Sequence, residues 1–352
     1  MPHGRRLFQC LSFSRAPKEG HSMASRSRKR AKPAVSAPVA SAVIETKAKG
    51  RNKPVGVIIL LVVLFLAVWV ASKIQPSAPK QFKMKQIFHF SGTGNSSGPM
   101  GVWGVAAMGT DEMALSDQTY GRILIYSRDG KMVKEWGKKG KDGDSFVEPS
   151  AIRLDESGNI WVIDPWRSMI RGYTPQGKEL TKVLLTDRFY GPRGIACDGP
   201  NFFIADTGSH RIVKADHSGK VLATWGESRG SDKMSVDNPR SITKVGKDKF
   251  YVADYENQRV QVLDTAKGFV QQIKCGCKPS DIAVDSEGRI YVACLESGVV
   301  KAYASNGRAL GNLVDPTGIA DGFHGVSGLD IASDGTVLMG GGDNVTGWKP
   351  MQ

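Results

Sequence analysis

The stretch FFIADTGSHRI, residues 202–212, places Asp206, Ser209 and His210 close together in the chain. An acid, a hydroxyl and an imidazole are the components of nucleophilic hydrolysis: the acid orients the imidazole, which takes the hydroxyl proton. An active site would hold such a set at one place. The same turn is written again as Asp254, Asn257, Gln258 and Arg259. Acid and arginine recur as Asp206/Arg211 and Asp254/Arg259, with Asp117/Arg122 as a third pair, whereas Ser209 and His210 do not recur. A repeating pair belongs to the fold: Asp caps turn amides, and Arg pairs and packs beside it.

The elements that carry these pairs repeat as well. EPSAIRLDESGNIWVID (148–164), GPRGIACDGPNFFIAD (191–206), NPRSITKVGKDKFYVAD (238–254) and KPSDIAVDSEGRIYVAC (278–294) share one pattern, with fainter copies at 102–117 and 326–340. The marker position after each apolar run falls at Asp117, Asp164, Asp206, Asp254, Cys294 and Gly340. Its spacings are 47, 42, 48, 40 and 46 residues. A period in the forties, made of short strands and Gly/Asp turns, indicates propeller blades. The last unit supplies three strands, and KQIFHFSG (85–92) has the outer-strand pattern with no inner strands before it. The expected fold is therefore all-β: a six-bladed β-propeller closed by an N-terminal strand, which leaves no long sheet edge exposed.

The residues P-x-G/S-I, G-x-I-Y-V-A-D and x-x-x-x-R-[IV] resemble the NHL-repeat family of six-bladed propellers, which includes membrane-anchored, extracytoplasmic members. The likeness covers residues 85–352. It is strongest at ADTGSHRI and ADYENQRV and weakens where Cys294 and Val299 replace Asp and Arg. It implies two functional classes. Some relatives use the loop face to bind protein, peptide or RNA. Others, resembling gluconolactonases and amidating lyases, hold a metal at the channel with converging carboxylates, amides or imidazoles. Here the first channel positions are Gly104, Ala151, Gly194, Ser241, Asp281 and Gly328, five of them small and non-ionisable. The four His residues after position 85 (His89, His210, His217 and His324) occupy no matching repeat positions. A divalent site needs several such ligands together, so no metal or other cofactor is expected and the balance lies against an enzyme.

The loop face is expected to present Trp103, Trp166, Arg167, Arg193, His210, Arg240 and Tyr255. Exposed aromatics and arginine are the residue types that anchor binding surfaces. The expected role is a binding or scaffold module for a protein, peptide or glycan partner; the alternative is a channel-centred, metal-dependent lactonase- or lyase-type enzyme. Cys277 pairing with Cys294, or Cys275 with Cys294, is the candidate disulfide.

Ahead of the repeats lie a basic tail, 1–53, an apolar segment, 54–74, and a linker, 75–84. Thirteen Lys/Arg against Glu19 and Glu45 give residues 1–54 a charge of +11, leaving +3 of the chain's +14 for the rest. That partition argues against a nucleic-acid partner for the repeats. The tail's Ala/Ser/Pro/Lys composition reads as disordered. Residues 55–71 hold seventeen uncharged positions, near the lower limit of about 17 for a spanning helix. More than fifty residues precede them, too many for a cleaved signal peptide. The expectation is a single-pass signal anchor with the tail in the cytoplasm and the propeller outside, periplasmic in a bacterium. Met1 and Met23 both remain open as the start.

Overall fold

The computed structural model describes residues 81–92, 98–186, 188–226, 228–314 and 325–351. The first strand is β1 (Gln81–Ser91). Sheet I follows as β2 (Val102–Met108), β3 (Glu112–Asp117), β4 (Arg122–Ser127) and β5 (Met132–Gly137). Sheet II holds β6 (Ile152–Leu154), β7 (Ile160–Asp164), β8 (Met169–Tyr173) and β9 (Glu179–Leu184). Sheet III holds β10 (Gly194–Asp198), β11 (Asn201–Asp206), β12 (Arg211–Asp216) and β13 (Val221–Trp225). Sheet IV holds β14 (Pro239–Val245), β15 (Lys249–Asp254), β16 (Arg259–Asp264) and β17 (Gly268–Lys274). The remaining strands are β18 (Pro279–Val284), β19 (Ile290–Cys294), β20 (Val299–Tyr303), β21 (Ala309–Val314), β22 (Gly328–Ile331), β23 (Val337–Gly341) and β24 (Asn344–Pro350). Within sheets I to IV each strand pairs with its chain neighbour, in antiparallel register.

The expected six separate blades are corrected by this hydrogen bonding. Four blades are independent four-stranded sheets, and the other strands form one eight-stranded sheet in the order β18-β19-β20-β21-β1-β24-β23-β22. The cause is β1. Its Gln81–Lys83 segment pairs parallel with Asn312–Val314, and its Met84–Ser91 segment pairs antiparallel with β24. Two sets of strands thereby become one sheet. This strand begins at Gln81, inside the segment expected to be linker. Alternation explains the extension: Met84 is wholly buried in a cluster with Tyr291, Leu313, Met339 and Trp348. Among the described residues no helix is long and apolar enough to cross a membrane. The expected tail at 1–53 and apolar segment at 54–74 lie outside the described residues.

The inner strands β2, β6, β10, β14, β18 and β22 touch one another in that cyclic order, with β22 returning to β2. The second strands are buried on both faces, as in NFFIAD and IYVAC, because each sheet packs between two others. Trp161 meets Phe202 between sheets II and III, and Phe203 meets Phe250 between sheets III and IV. Outer strands are exposed; β5 carries Lys134 and Glu135 along its free edge, and such charges discourage pairing with another chain.

Candidate functional site

The Asp and Arg of each repeated pair lie directly opposite each other across the turn that joins the second and third strands. Arg Nε donates to Asp Oδ2 at 2.9 Å for Arg122/Asp117, 2.8 Å for Arg211/Asp206 and 2.6 Å for Arg259/Asp254. The carboxylate also accepts an N–H from the loop entering its sheet: Met100 at 3.4 Å, Tyr190 at 2.8 Å and Asp237 at 2.7 Å. The guanidinium donates to carbonyls of that same loop, at Gly98, Arg188 and Ser235 respectively. Each pair is thus a clamp: the acid holds loop donors and the arginine holds loop acceptors. Burial pushes the Asp206 carboxyl up, against the pull of Arg211.

Sheet II varies the device. Asp164 accepts from Val147 and Glu148 N–H at 2.7 and 3.2 Å, but Met169 stands opposite it. Arg171, two residues further and on the same strand face, donates to the Asp144 carbonyl and pairs with Glu179 at 2.6 Å. It was not singled out in the sequence because it is displaced from the repeat position. Ser209 and His210 do not form a catalytic pair. The Ser209 hydroxyl donates to the Arg188 carbonyl, and His210 Nδ1 accepts the Asn238 N–H at 3.2 Å. The Asp237 carboxylate lies 3.1 Å from the same Nδ1, so the imidazole is engaged by the loop entering sheet IV and not by Ser209.

At the axis, Asp281 is not alone. Its Oδ1 accepts from Arg153 Nη2 at 2.7 Å, from the Ser241 hydroxyl and from the Ile282 N–H; its Oδ2 accepts from the Leu329 N–H at 2.8 Å. Asp330 accepts the Ala107 N–H at 2.8 Å, and burial holds its carboxyl above the usual range. A metal needs several free ligands; here the guanidinium and backbone amides already occupy these oxygens. Among the described residues no three His, Cys, Asp or Glu side chains gather as a metal-holding group. His217 is half-buried against two aromatic rings, 4.3 Å from that of Phe202 and 4.7 Å from that of Trp161, and burial lowers its pKa. His89 bonds Asn344, and His324 lies outside the described residues.

The loop face gathers some of the expected residues and separates others. Glu148 links two of them, accepting from Trp166 Nε1 and pairing with Arg193 at 3.1 Å. The Arg193 guanidinium lies 5.7 Å from the Trp103 ring centroid. Arg240 stacks on Tyr255 at 3.7 Å, and Lys278 approaches the same ring. Tyr255 is itself buried, so Arg240 covers it. Burial, with Arg193 nearby adding to it, holds Arg240 below its ordinary pKa. Arg167 turns away to the Asp142 and Ser145 carbonyls, both at 2.7 Å. Between Trp166 and the 188–193 loop lies a cleft of about 320 Å³, walled by Phe189, Tyr190, Arg193 and Gly208. Trp166 is 69% exposed and Tyr190 74%. Phe189 and Tyr190 were missed in the sequence because they sit in a non-repeating part of the entry loop; adjacent aromatics before GPR were the available signal.

Cys277 is bonded to Cys294, and Cys275 remains a buried thiol whose pKa burial pushes up to about 12. The bridge closes a loop of 17-residue separation, which in the chain-entropy account contributes about 3 kcal/mol.

No family model matches the chain. Over 158 residues it is 27% identical to peptidyl-alpha-hydroxyglycine alpha-amidating lyase 1 of Drosophila melanogaster, covering 40% of this chain and 28% of that one. Over 165 residues it is 26% identical to NHL repeat-containing protein 3 of Mus musculus, covering 42% and 46%. The match thus spans less than half the length of either relative. A streptogramin B lyase structure superposes with TM-score 0.56 at 13% identity, covering 75% of this chain and 97% of that one. Virginiamycin B lyase from Staphylococcus aureus superposes with TM-score 0.56 at 14% identity, covering 76% and 100%. At such identity the structural likeness carries the fold alone. Repeats, sheets and relatives together support an NHL-like β-propeller family for the chain.

Proposed function

We propose that the propeller is a binding module that engages a protein, peptide or glycan partner through its loop face. One contrast carries this reading: the axial Asp281 carboxylate is saturated by protein donors, whereas the loop face opens a cleft rimmed by two well-exposed aromatic rings. Large exposed aromatics beside arginine are the usual anchors of an interface. A channel-centred lyase would need free axial ligands, and Arg153 stands between the axial carboxylates in charge terms, attracted to both Asp281 and Asp330. The Cys277–Cys294 bridge favours an oxidising compartment outside the cytoplasm as the place of action. The near-neutral repeat region favours a partner other than nucleic acid.

Crosslinking in cells followed by recovery of the full-length chain tests this. Trp166→Ala and Arg193→Ala are expected to lower partner recovery about tenfold or more. Trp166→Ala should shift stability by less than about 0.5 kcal/mol, since the ring is largely in solvent. Unchanged recovery from both variants would count against the loop face.

A further inference from the structure

We infer that the cleft between Trp166 and Tyr190 receives an aromatic or large aliphatic side chain of an extended peptide, and that the basic hollow beside it receives an acidic group two residues away. This rests on the loop-face reading and names its ligand class.

The hollow measures about 340 Å³ and is lined by Arg188, Ser209, Arg211 and Thr224. It shares a wall with the aromatic cleft. Phe189 and Gly208 line one side of that wall; their chain neighbours Arg188 and Ser209 line the other. The wall is stitched together by backbone and clamp. The Gly208 N–H donates to the Tyr190 carbonyl at 2.8 Å, and Arg211 Nη2 donates to the Arg188 carbonyl at 3.1 Å. The Arg211 guanidinium also lies 5.3 Å from the Phe189 ring centroid. The structural clamp of sheet III therefore doubles as the partition between an apolar and a cationic chamber.

The Tyr190 ring rests on bare backbone at Gly208, where a Cβ would come within 2.1 Å of Tyr190 Cδ1. That seat holds a 74%-exposed ring at the rim. Arg188 is exposed and is held in the left-handed region at φ 57. Non-glycine residues held in that region are uncommon and tend to sit at functional positions. An apolar chamber beside a positive one is complementary to an apolar group beside a negative one. A neutral sugar would use the aromatic rings but offer no charge to the Arg188 and Arg211 guanidinium groups that line the hollow, which favours the peptide. Side chains two residues apart on an extended chain share a face, at a rise of roughly 3.3 Å per residue, and can enter neighbouring hollows.

The test uses the full-length chain and a random heptapeptide library displayed on phage. The expected enrichment is an aromatic or large aliphatic residue two positions from Asp or Glu. The leading peptide, synthesised, should bind at least about tenfold more weakly to Tyr190→Ala and to Arg188→Glu. Its affinity should also fall between roughly 0.05 and 0.5 M salt. Gly208→Ala, which displaces the Tyr190 ring, should weaken it too. Enriched peptides without that pairing would overturn the inference, as would binding indifferent to Tyr190 and Arg188. A peptide lost by Trp103→Ala or Arg240→Ala but not by Tyr190→Ala overturns this cleft and leaves the loop face standing; indifference to all four overturns both. Tyr190-dependent retention of neutral oligosaccharides, with no peptide selected, would replace the peptide by a sugar.

Discussion

Asp281→Ala lowers the free energy of unfolding by about 3–5 kcal/mol, the expected cost of leaving a buried charge without its partner. The side chains of Asp281 and Arg153 are 6% and 11% exposed, so water cannot replace the lost ion pair. The same carboxylate also ties four inner strands: Arg153 belongs to β6, Ser241 to β14, Asp281 to β18 and Leu329 to β22. Its removal orphans a guanidinium, a hydroxyl and two amides at the one place where all sheets converge. Urea unfolding followed by tryptophan fluorescence reads the change directly. Replacing both partners, Arg153→Met with Asp281→Leu, should recover much of the loss, because an apolar pair of similar volume removes the orphaned charge. A loss below about 1 kcal/mol for Asp281→Ala would show that the axis is wet and open, and the case against channel chemistry would fall with it.

The second large effect falls on a clamp. Asp254 is wholly buried and Arg259 is 5% exposed. Besides Arg259, the carboxylate accepts from the Asp237 N–H, the Asn257 amide and the Gln261 amide. Asp254→Ala is expected to cost about 3–5 kcal/mol for the same reason as at the axis. Asp206→Ala should cost less, because the Arg211 side chain is 20% exposed and water can take over part of its solvation. The ordering is the sharper expectation. Equal losses at the two positions would mean that the clamps are tolerated by their loops rather than required by them. Since the Asp206 clamp also fixes Arg188 and Tyr190, its loss should loosen the cleft rim.

What could be read from the sequence follows from periodicity. The clamps were legible because Asp and Arg recur at fixed spacing, and a spacing of five across a tight turn leaves them face to face. The same regularity separated Ser209 and His210 from any catalytic pair. The axis was half legible. Asp281 was noticed at a first channel position, but Arg153 and Asp330 each lie two residues beyond one, at Ala151 and Gly328. Side chains two apart share a strand face, so carrying the alternation one step further would have found both. The merged eight-stranded sheet was not legible, since whether β1 bonds β21 as well as β24 depends on how the chain enters the ring. The cleft was least legible of all: Phe189, Tyr190 and Arg188 occupy loop positions with no counterpart in the other repeats.

The central claim is that the loop face, and not the axis, meets the partner. Hydroxyl-radical footprinting of the full-length chain, in intact cells and after purification, tests it most directly. Trp166 and Tyr190 should lose most of their reactivity in cells, while Val133 and Leu180 on the outer strands, about half exposed, react alike in both states. Equal reactivity of Trp166 and Tyr190 in cells and in isolation would contradict the account.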